Sequence, residues 1–298
     1  MSKEVLYVVG DFALLGAKRR GGAVQEMKQL FDIHKPVIGM LHAPALPASP
    51  KNRLPFDRII EWVLSDADAL TSGGVDALMI ENFGDVPYYP GPVPAHTAAF
   101  LTALAVEIRR RFDRPLGINV LRNDAASAIA IAAASGAAFI RVNVHTGARL
   151  TDQGIIQGTA HETLRLRLSL GSDVKILADV DVKHSVPLAP RDLAGEVEET
   201  ISRGGADAVI VTGSGTGKQT PAGDLKAAKT AAGPVPVFAG SGVDVNSVGA
   251  VLKIADGIII GTALKKDGVS GNPVDHQRVR VFIEAVRQFR DVSSKSCD

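Results

Sequence analysis

Apolar runs of four or more residues recur along the chain, and the lead-in to each is much the same. A stretch with helical spacing ends, a glycine or small residue follows, then an acidic or small residue, then the run. The pattern is visible in Gly74-Val-Asp-Ala-Leu-Met-Ile80, Gly136-Ala-Ala-Phe-Ile-Arg-Val142, Gly205-Ala-Asp-Ala-Val-Ile-Val211 and Ala255-Asp-Gly-Ile-Ile-Ile260. Glycine after a helix supplies the left-handed residue that closes it, and a continuous apolar run suits a strand covered by helices. In the segment from Asp57 to Ser72, Ile59, Ile60, Val63, Leu64, Ala67 and Leu70 fall on one helical face. This reading predicts strands at 36–42, 77–82, 116–121, 139–144, 175–182, 208–213, 235–242 and 257–263. It predicts helices at about 57–72, 95–111, 124–135, 159–170, 192–203, 223–232, 245–253 and 275–290. Eight alternations without a break in composition predict an α/β fold, a single (β/α)8 TIM barrel, over an open doubly wound sheet.

The connections are lopsided. Those entering strands are mostly short, whereas those leaving strand ends are long: Ala43 to Phe56, Phe83 to Pro94 and His145 to Gly158. Barrel enzymes build their sites on that face. Phe83, Tyr88 and Tyr89, set among four prolines, read either as a stiff aromatic lid or as an exposed loop that proline stiffens.

Two late segments, Phe238-Ala-Gly-Ser-Gly-Val243 and Gly257-Ile-Ile-Ile-Gly-Thr-Ala-Leu-Lys265, each run from an apolar strand into small residues. Glycine lets backbone N–H groups approach an anion, and a following helix N-terminus adds a favourable dipole. As the seventh and eighth strands, they match the place where such barrels hold phosphate. Gly240, Ser241, Gly242, Gly261 and Thr262 are therefore the expected phosphate ligands. Gly213 and Gly215 of the neighbouring glycine-rich segment are added to them.

Side chains two apart share a face of a strand. The face against the helices must be apolar, so charged residues are left to the lumen. This parity directs His42, Glu81, Asn119, Arg141, Asn143, Asp179, Asp181, Lys183 and Thr212 inward, and His145 with them. Asp181, Lys183, Glu81 and His42, nearest the open end, are the expected catalytic residues. Asn119, Arg141, Asn143, Asp179 and Thr212 are expected to bind substrate. On this reading three carboxylates face two cations. A Mg²⁺ ion held by Glu81, Asp179 and Asp181 is one resolution of that surplus, and a protonated carboxyl is another. A third is an Asp181–Lys183 pair tuned for acid/base work, and Lys183 as a Schiff-base nucleophile is also open.

Bulk properties narrow the class. The 298 residues suit one barrel of ~250 residues. A net charge of +1 gives no reason to expect nucleic acid. The single cysteine, Cys297, excludes a disulfide framework and suggests a reducing cytoplasm. No apolar run approaches the ~20 residues of a transmembrane helix. Residues 1–26 are expected to be a loosely ordered extension or an early start, with Met27 the true one. The barrel is expected over 27–291 and a polar tail over 292–298. Gly213-Ser-Gly-Thr-Gly-Lys-Gln-Thr220 imitates a P-loop but is one residue short between its glycines, and Gln219 follows the lysine, so a nucleoside triphosphatase is not expected.

From about Met27 to Phe289 the chain resembles the BtpA/SgcQ family. The resemblance rests on Pro36-Val-Ile-Gly-Met-Leu-His42, Asp76-Ala-Leu-Met-Ile-Glu-Asn-Phe-Gly84 and Gly117-Ile-Asn-Val-Leu-Arg-Asn-Asp124. Arg141-Val-Asn-Val-His145, Asp179-Val-Asp-Val-Lys-His184 and Val211-Thr-Gly-Ser-Gly-Thr-Gly217 extend it. The resemblance implies one of two roles, a factor for photosystem I biogenesis or a protein of sugar metabolism, and it supplies no catalytic residues. Together with the residues it leads to an expected enzyme of lyase, isomerase or aldolase type. Its expected substrate is a small phosphorylated metabolite, a sugar phosphate or a nucleotide-derived compound. A non-catalytic assembly factor is the alternative, and a cytoplasmic homo-oligomer is expected.

Overall fold

Barrel strands alternate with helices along the described chain, which in this computed structural model comprises residues 30–31, 33–213, 215 and 217–295. The extension expected over 1–26 lies outside these residues. The strands in chain order are β1 (Val37–His42), β2 (Ala77–Glu81), β3 (Leu116–Asn119), β4 (Phe139–Val142), β5 (Ala148–Thr151) and β6 (Gly154–Gln157). They continue as β7 (Lys175–Val180), β8 (Ser185–Pro187), β9 (Ala208–Val211), β10 (Val237–Ala239) and β11 (Gly257–Ile260). The helices are α1 (Phe56–Gly73), α2 (Ala95–Arg111), α3 (Ala125–Ser135), α4 (Ala160–Ser169), α5 (Leu193–Ser202), α6 (Ala222–Ala232), α7 (Val248–Leu252) and α8 (His276–Lys295). Eight parallel strands close a barrel in the order β1-β11-β10-β9-β7-β4-β3-β2, as the alternation predicts. No described helix is long and apolar enough to cross a membrane.

The acidic residue that leads several strands has a mechanical role. Asp76 Oδ2 accepts a hydrogen bond from Val37 N–H at 2.7 Å and one from Arg290 at 2.6 Å. Asp207 Oδ2 accepts from Ile176 N–H and Arg167, both at 2.8 Å. Asp256 Oδ2 accepts from Val237 N–H at 2.8 Å and Lys229 at 2.5 Å. Each carboxylate thus satisfies a backbone donor at the start of the neighbouring strand and ties it to a cation on a helix.

Above these clamps the lumen is apolar, then polar. Phe31, Ile38, Met79, Phe139, Leu177, Ile210, Phe238 and Ile259 fill the closed end. Gly117 and Gly257 make room for the two largest rings there, since a Cβ at either would lie 2.1 Å from the Phe139 ring or 2.4 Å from the Phe238 ring. Two residues further along each strand the inward position turns polar: Met79 gives way to Glu81, Phe139 to Arg141, Leu177 to Asp179 and Ile210 to Thr212.

Four features depart from the predicted pattern. The connection at 145–158, expected to be a structureless loop, is the hairpin β5–β6. With β8 it forms a three-stranded antiparallel sheet in the order β6-β5-β8. This sheet packs on the chain beyond β4 and β7 through Val144, Ile156 and Val182. Second, β7 stops at Val180, because Asp181 takes a left-handed backbone conformation at φ 48° that ends the alternation. Third, the helix expected at 245–253 is the single short turn pair of α7. Fourth, α8 runs to Lys295, so the expected tail begins as helix.

Candidate functional site

The polar layer opens into a cleft of about 220 Å³ at the C-terminal mouth, lined on one side by His42, Glu81, Arg141 and Lys183. Its other wall is the chain leaving β10 and β11, at Gly240–Asp244 and Gly261–Ala263. A larger hollow of about 600 Å³ near Leu170 and Val174 carries none of these polar groups.

Arg141 is held by Asp179. Its Nη2 donates to Asp179 Oδ2 at 3.0 Å and its Nε to Oδ1 at 3.1 Å, with both side chains essentially buried. Asn143 donates to the same Oδ2 at 2.6 Å. Asp179 is therefore consumed in neutralising the arginine and does not line the cleft, contrary to its expected contact with substrate. Arg141 does line it, and its Nη1 makes no hydrogen bond among the described residues. Glu81 also reaches the cleft, with Oε2 accepting from Asn119 at 2.5 Å.

Lys183 lies beyond the end of β7 but is fixed by its backbone. Its N–H donates to Thr212 Oγ1 at 3.0 Å, and its carbonyl accepts from Arg122 Nη2 at 2.7 Å. Thr212 thus holds the lysine in place of substrate. The Lys183 ammonium has no hydrogen bond or ion pair among the described residues. Burial lowers its pKa below the ordinary lysine value, and the nearby Arg141 and Arg122 lower it further against the opposing pull of Glu81 and Asp179.

Asp181 is elsewhere. Its side chain is 61% exposed and pairs with Arg149 of β5. The left-handed turn at this residue sends it out of the lumen, so the expected Asp181–Lys183 pair does not form. Nor do Glu81, Asp179 and Asp181 converge on a cation. Among the described residues no group of three or more His, Cys, Asp or Glu side chains could hold a metal ion. In its place the fold brings in Arg122, 5% exposed, from the turn after β3. Arg122 belongs to the motif Gly117–Asp124, but its spacing there points to no role. No strand parity reaches it, and its place is set by tertiary bonds, such as its N–H donating to Tyr89 O at 3.0 Å. The negative surplus expected of the mouth is thereby removed. The charged groups that line the cleft are Arg141 and Lys183 against Glu81 and Asp244, while Arg122 bonds the Lys183 carbonyl without lining the cleft.

His42 stacks on Phe83, with ring centroids 4.3 Å apart. Its Nδ1 lies 2.9 Å from the Ser270 carbonyl oxygen, which can only accept, so that nitrogen carries the proton. Nε2 is left as an acceptor beside Gly261, where an added Cβ would lie 3.1 Å from it. Burial pushes the imidazole pKa down to about 4. An NMR titration should accordingly find His42 neutral where an ordinary imidazole, at 6.5, is half protonated. The unfolded chain binds the proton more readily, so stability attributable to this residue is lost as pH falls from 6.5 towards 4. His145, expected to point inward, instead bonds the Gly204 carbonyl at 2.8 Å in the helical layer. Phe83 covers His42 and Tyr88 donates to Phe83 O at 2.7 Å, while Tyr89 is exposed.

On the opposite wall, the N–H groups of Gly242, Val243, Thr262 and Ala263 find no acceptor among the described residues, and all four residues line the cleft. Gly242 is left-handed at φ +66°, and a Cβ there would lie 2.2 Å from the Gln219 backbone nitrogen. Gly213, expected to grip phosphate, instead donates its N–H to Ser241 Oγ at 2.7 Å, and that hydroxyl donates to Lys218 O at 3.0 Å. The Ser241 side chain is thus engaged in holding the glycine-rich segment. Gly215 packs beside Lys218 and His184 and does not line the cleft, whereas Gly217 does. Asp244 lines the rim, but its Oδ1 is engaged by the N–H groups of Asn246 and Ser247.

Comparison with known proteins places this geometry in a wider group. The model of the BtpA family matches residues 33–288. The photosystem I biogenesis protein BtpA of Synechocystis is 44% identical over 272 residues, covering 91% of this chain and 95% of that protein. An uncharacterized protein of Thermococcus kodakarensis is 45% identical over 259 residues, covering 87% of this chain and 98% of its own. The sgc region protein SgcQ of Escherichia coli, so named with reserve, is 35% identical over 267 residues, covering 89% and 98%. Among solved structures, N-(5'-phosphoribosyl)anthranilate isomerase from Pyrococcus furiosus superimposes with a TM-score of 0.53 at 16% identity, covering 86% of this chain and 100% of its own. KGPDC from Streptococcus mutans gives 0.54 at 12%, covering 86% and 99%. At these identities the likeness to solved structures concerns the fold alone.

Proposed function

The chain belongs to the BtpA family, and from that membership and the geometry of its mouth we propose that it is an enzyme acting on a small phosphorylated metabolite. The observation that carries the proposal is the pairing of two walls. Amides of Gly242, Val243, Thr262 and Ala263, without an acceptor among the described residues, face the two cationic side chains that line the cleft, Arg141 and Lys183. Amides at such turns hold phosphate oxygens without desolvating a side-chain charge. Arg141, prepositioned by Asp179, would orient a substrate oxygen through Nη1. Glu81 and Lys183 would exchange protons with the reacting carbon or oxygen, which suits lyase, isomerase or aldolase-type chemistry. The cleft of about 220 Å³ is below the ~300–1,000 Å³ of pockets that take drug-sized ligands. A sugar phosphate fits that size better than a nucleotide.

The test is ligand-dependent thermal unfolding. Sugar phosphates should raise the melting temperature, as a ligand at a hundred times its Kd adds about 2.7 kcal/mol. The unphosphorylated sugars and ATP should not. Equal stabilisation by free sugar, or none by any phosphate ester, would overturn the proposal.

A second reading has one observation in its favour. Ile155, Leu150 and Val186 are direct cross-strand neighbours on the three-stranded sheet and are 56%, 46% and 55% exposed. Such an apolar row would suit a protein partner, as a biogenesis factor requires. Lys183→Ala separates the two readings: loss of cellular function with the fold intact favours the enzyme, and retention favours the assembly factor.

A further inference from the structure

The separation of Lys183 from Asp181 bears on what the lysine does. A lysine serving as an acid/base partner is normally held by a carboxylate. Here the expected carboxylate is turned outward to Arg149, and the Nζ end has no hydrogen-bonding or ion-pairing partner among the described residues. Its charged surroundings are mixed. Arg141 from β4 and Arg122 from the turn after β3 oppose its protonation, while Glu81 from β2 and Asp179 from β7 favour it without touching it. An amine without an ion pair, partly desolvated and set beside other cations, is a better nucleophile than an ordinary lysine. Its backbone is clamped on both sides by Thr212 and Arg122, so the amine is presented to the cleft from a fixed base.

We propose that Lys183 forms a Schiff base with the carbonyl group of a phosphorylated aldehyde or ketone whose phosphate rests on the amides of Gly242, Val243, Thr262 and Ala263. The inference rests on the phosphate-binding reading of the cleft. Nζ adds to the carbonyl carbon, and one amine proton passes to the carbonyl oxygen to give a carbinolamine. A second proton, delivered through Glu81, lets that oxygen leave as water and leaves the iminium on Lys183. Glu81, on the adjoining lumen wall with Oε2 held by Asn119, then faces a cation it can stabilise. An iminium withdraws electrons from the adjacent carbon, which is the service a lysine can perform in lyase or aldolase-type chemistry.

The intact protein is incubated with glycolaldehyde phosphate, dihydroxyacetone phosphate or ribose 5-phosphate and then reduced with sodium borohydride. Peptide mass spectrometry locates the adduct. The proposal expects a reduced adduct confined to Lys183 with at least one of these probes. The adduct should be absent with the unphosphorylated counterparts, suppressed by inorganic phosphate and lost in Lys183→Met. Unfolding of the wild type and of Lys183→Met, measured with inorganic phosphate alone, reports the phosphate site independently of the amine. If phosphate stabilises both proteins but adducts fall on Lys218 and other exposed lysines, the Schiff base is overturned and the phosphate reading stands. If phosphate stabilises neither and no adduct forms at Lys183, both fall.

Discussion

Asp179→Ala is expected to lower folding stability by about 3–5 kcal/mol, the cost of leaving a buried charge without its partner. The Asp179 side chain has no exposed surface and Arg141 has 3%. With so little exposed surface, the guanidinium gains little hydration when the carboxylate is removed. Glu81 is near enough to act on Arg141 electrostatically but is already bonded to Asn119. In urea denaturation the midpoint should fall with little change in slope. Asp179→Asn keeps the volume and one acceptor and should cost less. Arg141→Met combined with Asp179→Leu should recover much of the loss, because replacing both partners removes the unpaired charge. A loss below about 1 kcal/mol in Asp179→Ala, the range of an exposed pair, would mean that Arg141 is not held as described.

Asp66→Ala should have an effect of the same order at the opposite wall. Lys265 is fully buried and its Nζ donates to Asp66 Oδ2 at 2.7 Å, while Val274 N–H donates to Oδ1 at 2.7 Å. Removing Asp66 strands an ammonium and an amide together. Desolvation already lowers the Lys265 pKa below 10.5, opposed by Asp66. Without the carboxylate it falls further, so the unfolded chain binds the proton more readily than the folded one. Stability of the variant should then rise with pH towards 10.5 as the buried amine becomes neutral, and its deficit relative to wild type should narrow. Chemical denaturation at several pH values reads this directly. A deficit independent of pH would contradict a charged Lys265. Because Lys265 follows the turn that carries Thr262 and Ala263, phosphate affinity should weaken as well.

The barrel is legible in the sequence because apolar runs of one period alternate with helical spacing of another, and both survive without tertiary information. Strand parity also places Glu81, Asn119, Arg141, Asn143 and Asp179 inward, since a charge on the helix-facing side would be unpayable. That rule holds only while the chain stays extended. It fails at Asp181, where φ 48° rotates the next residues out of phase, and it says nothing of Arg122, which reaches the mouth from a turn. Together these two residues remove the negative surplus expected of the site. The glycine-rich segment misleads for a different reason. Gly213 satisfies a close approach between two backbones, lying against Lys218 and Gln219. In a sequence such glycines look like phosphate ligands, and only the tertiary neighbour separates the two uses. The hairpin at 148–157 is invisible because each strand has four residues, too few to establish alternation.

The central claim is that the mouth binds phosphate on the amides after β10 and β11, facing Arg141 and Lys183. A crystal structure of the protein with ribose 5-phosphate tests it most directly. The phosphate should lie within hydrogen-bonding distance of the N–H groups of Gly242, Val243, Thr262 and Ala263, with the sugar extending towards Lys183 and Glu81. A phosphate held instead by Lys218 and Gly215 outside the cleft, or a cleft left empty at saturating ligand, would contradict it.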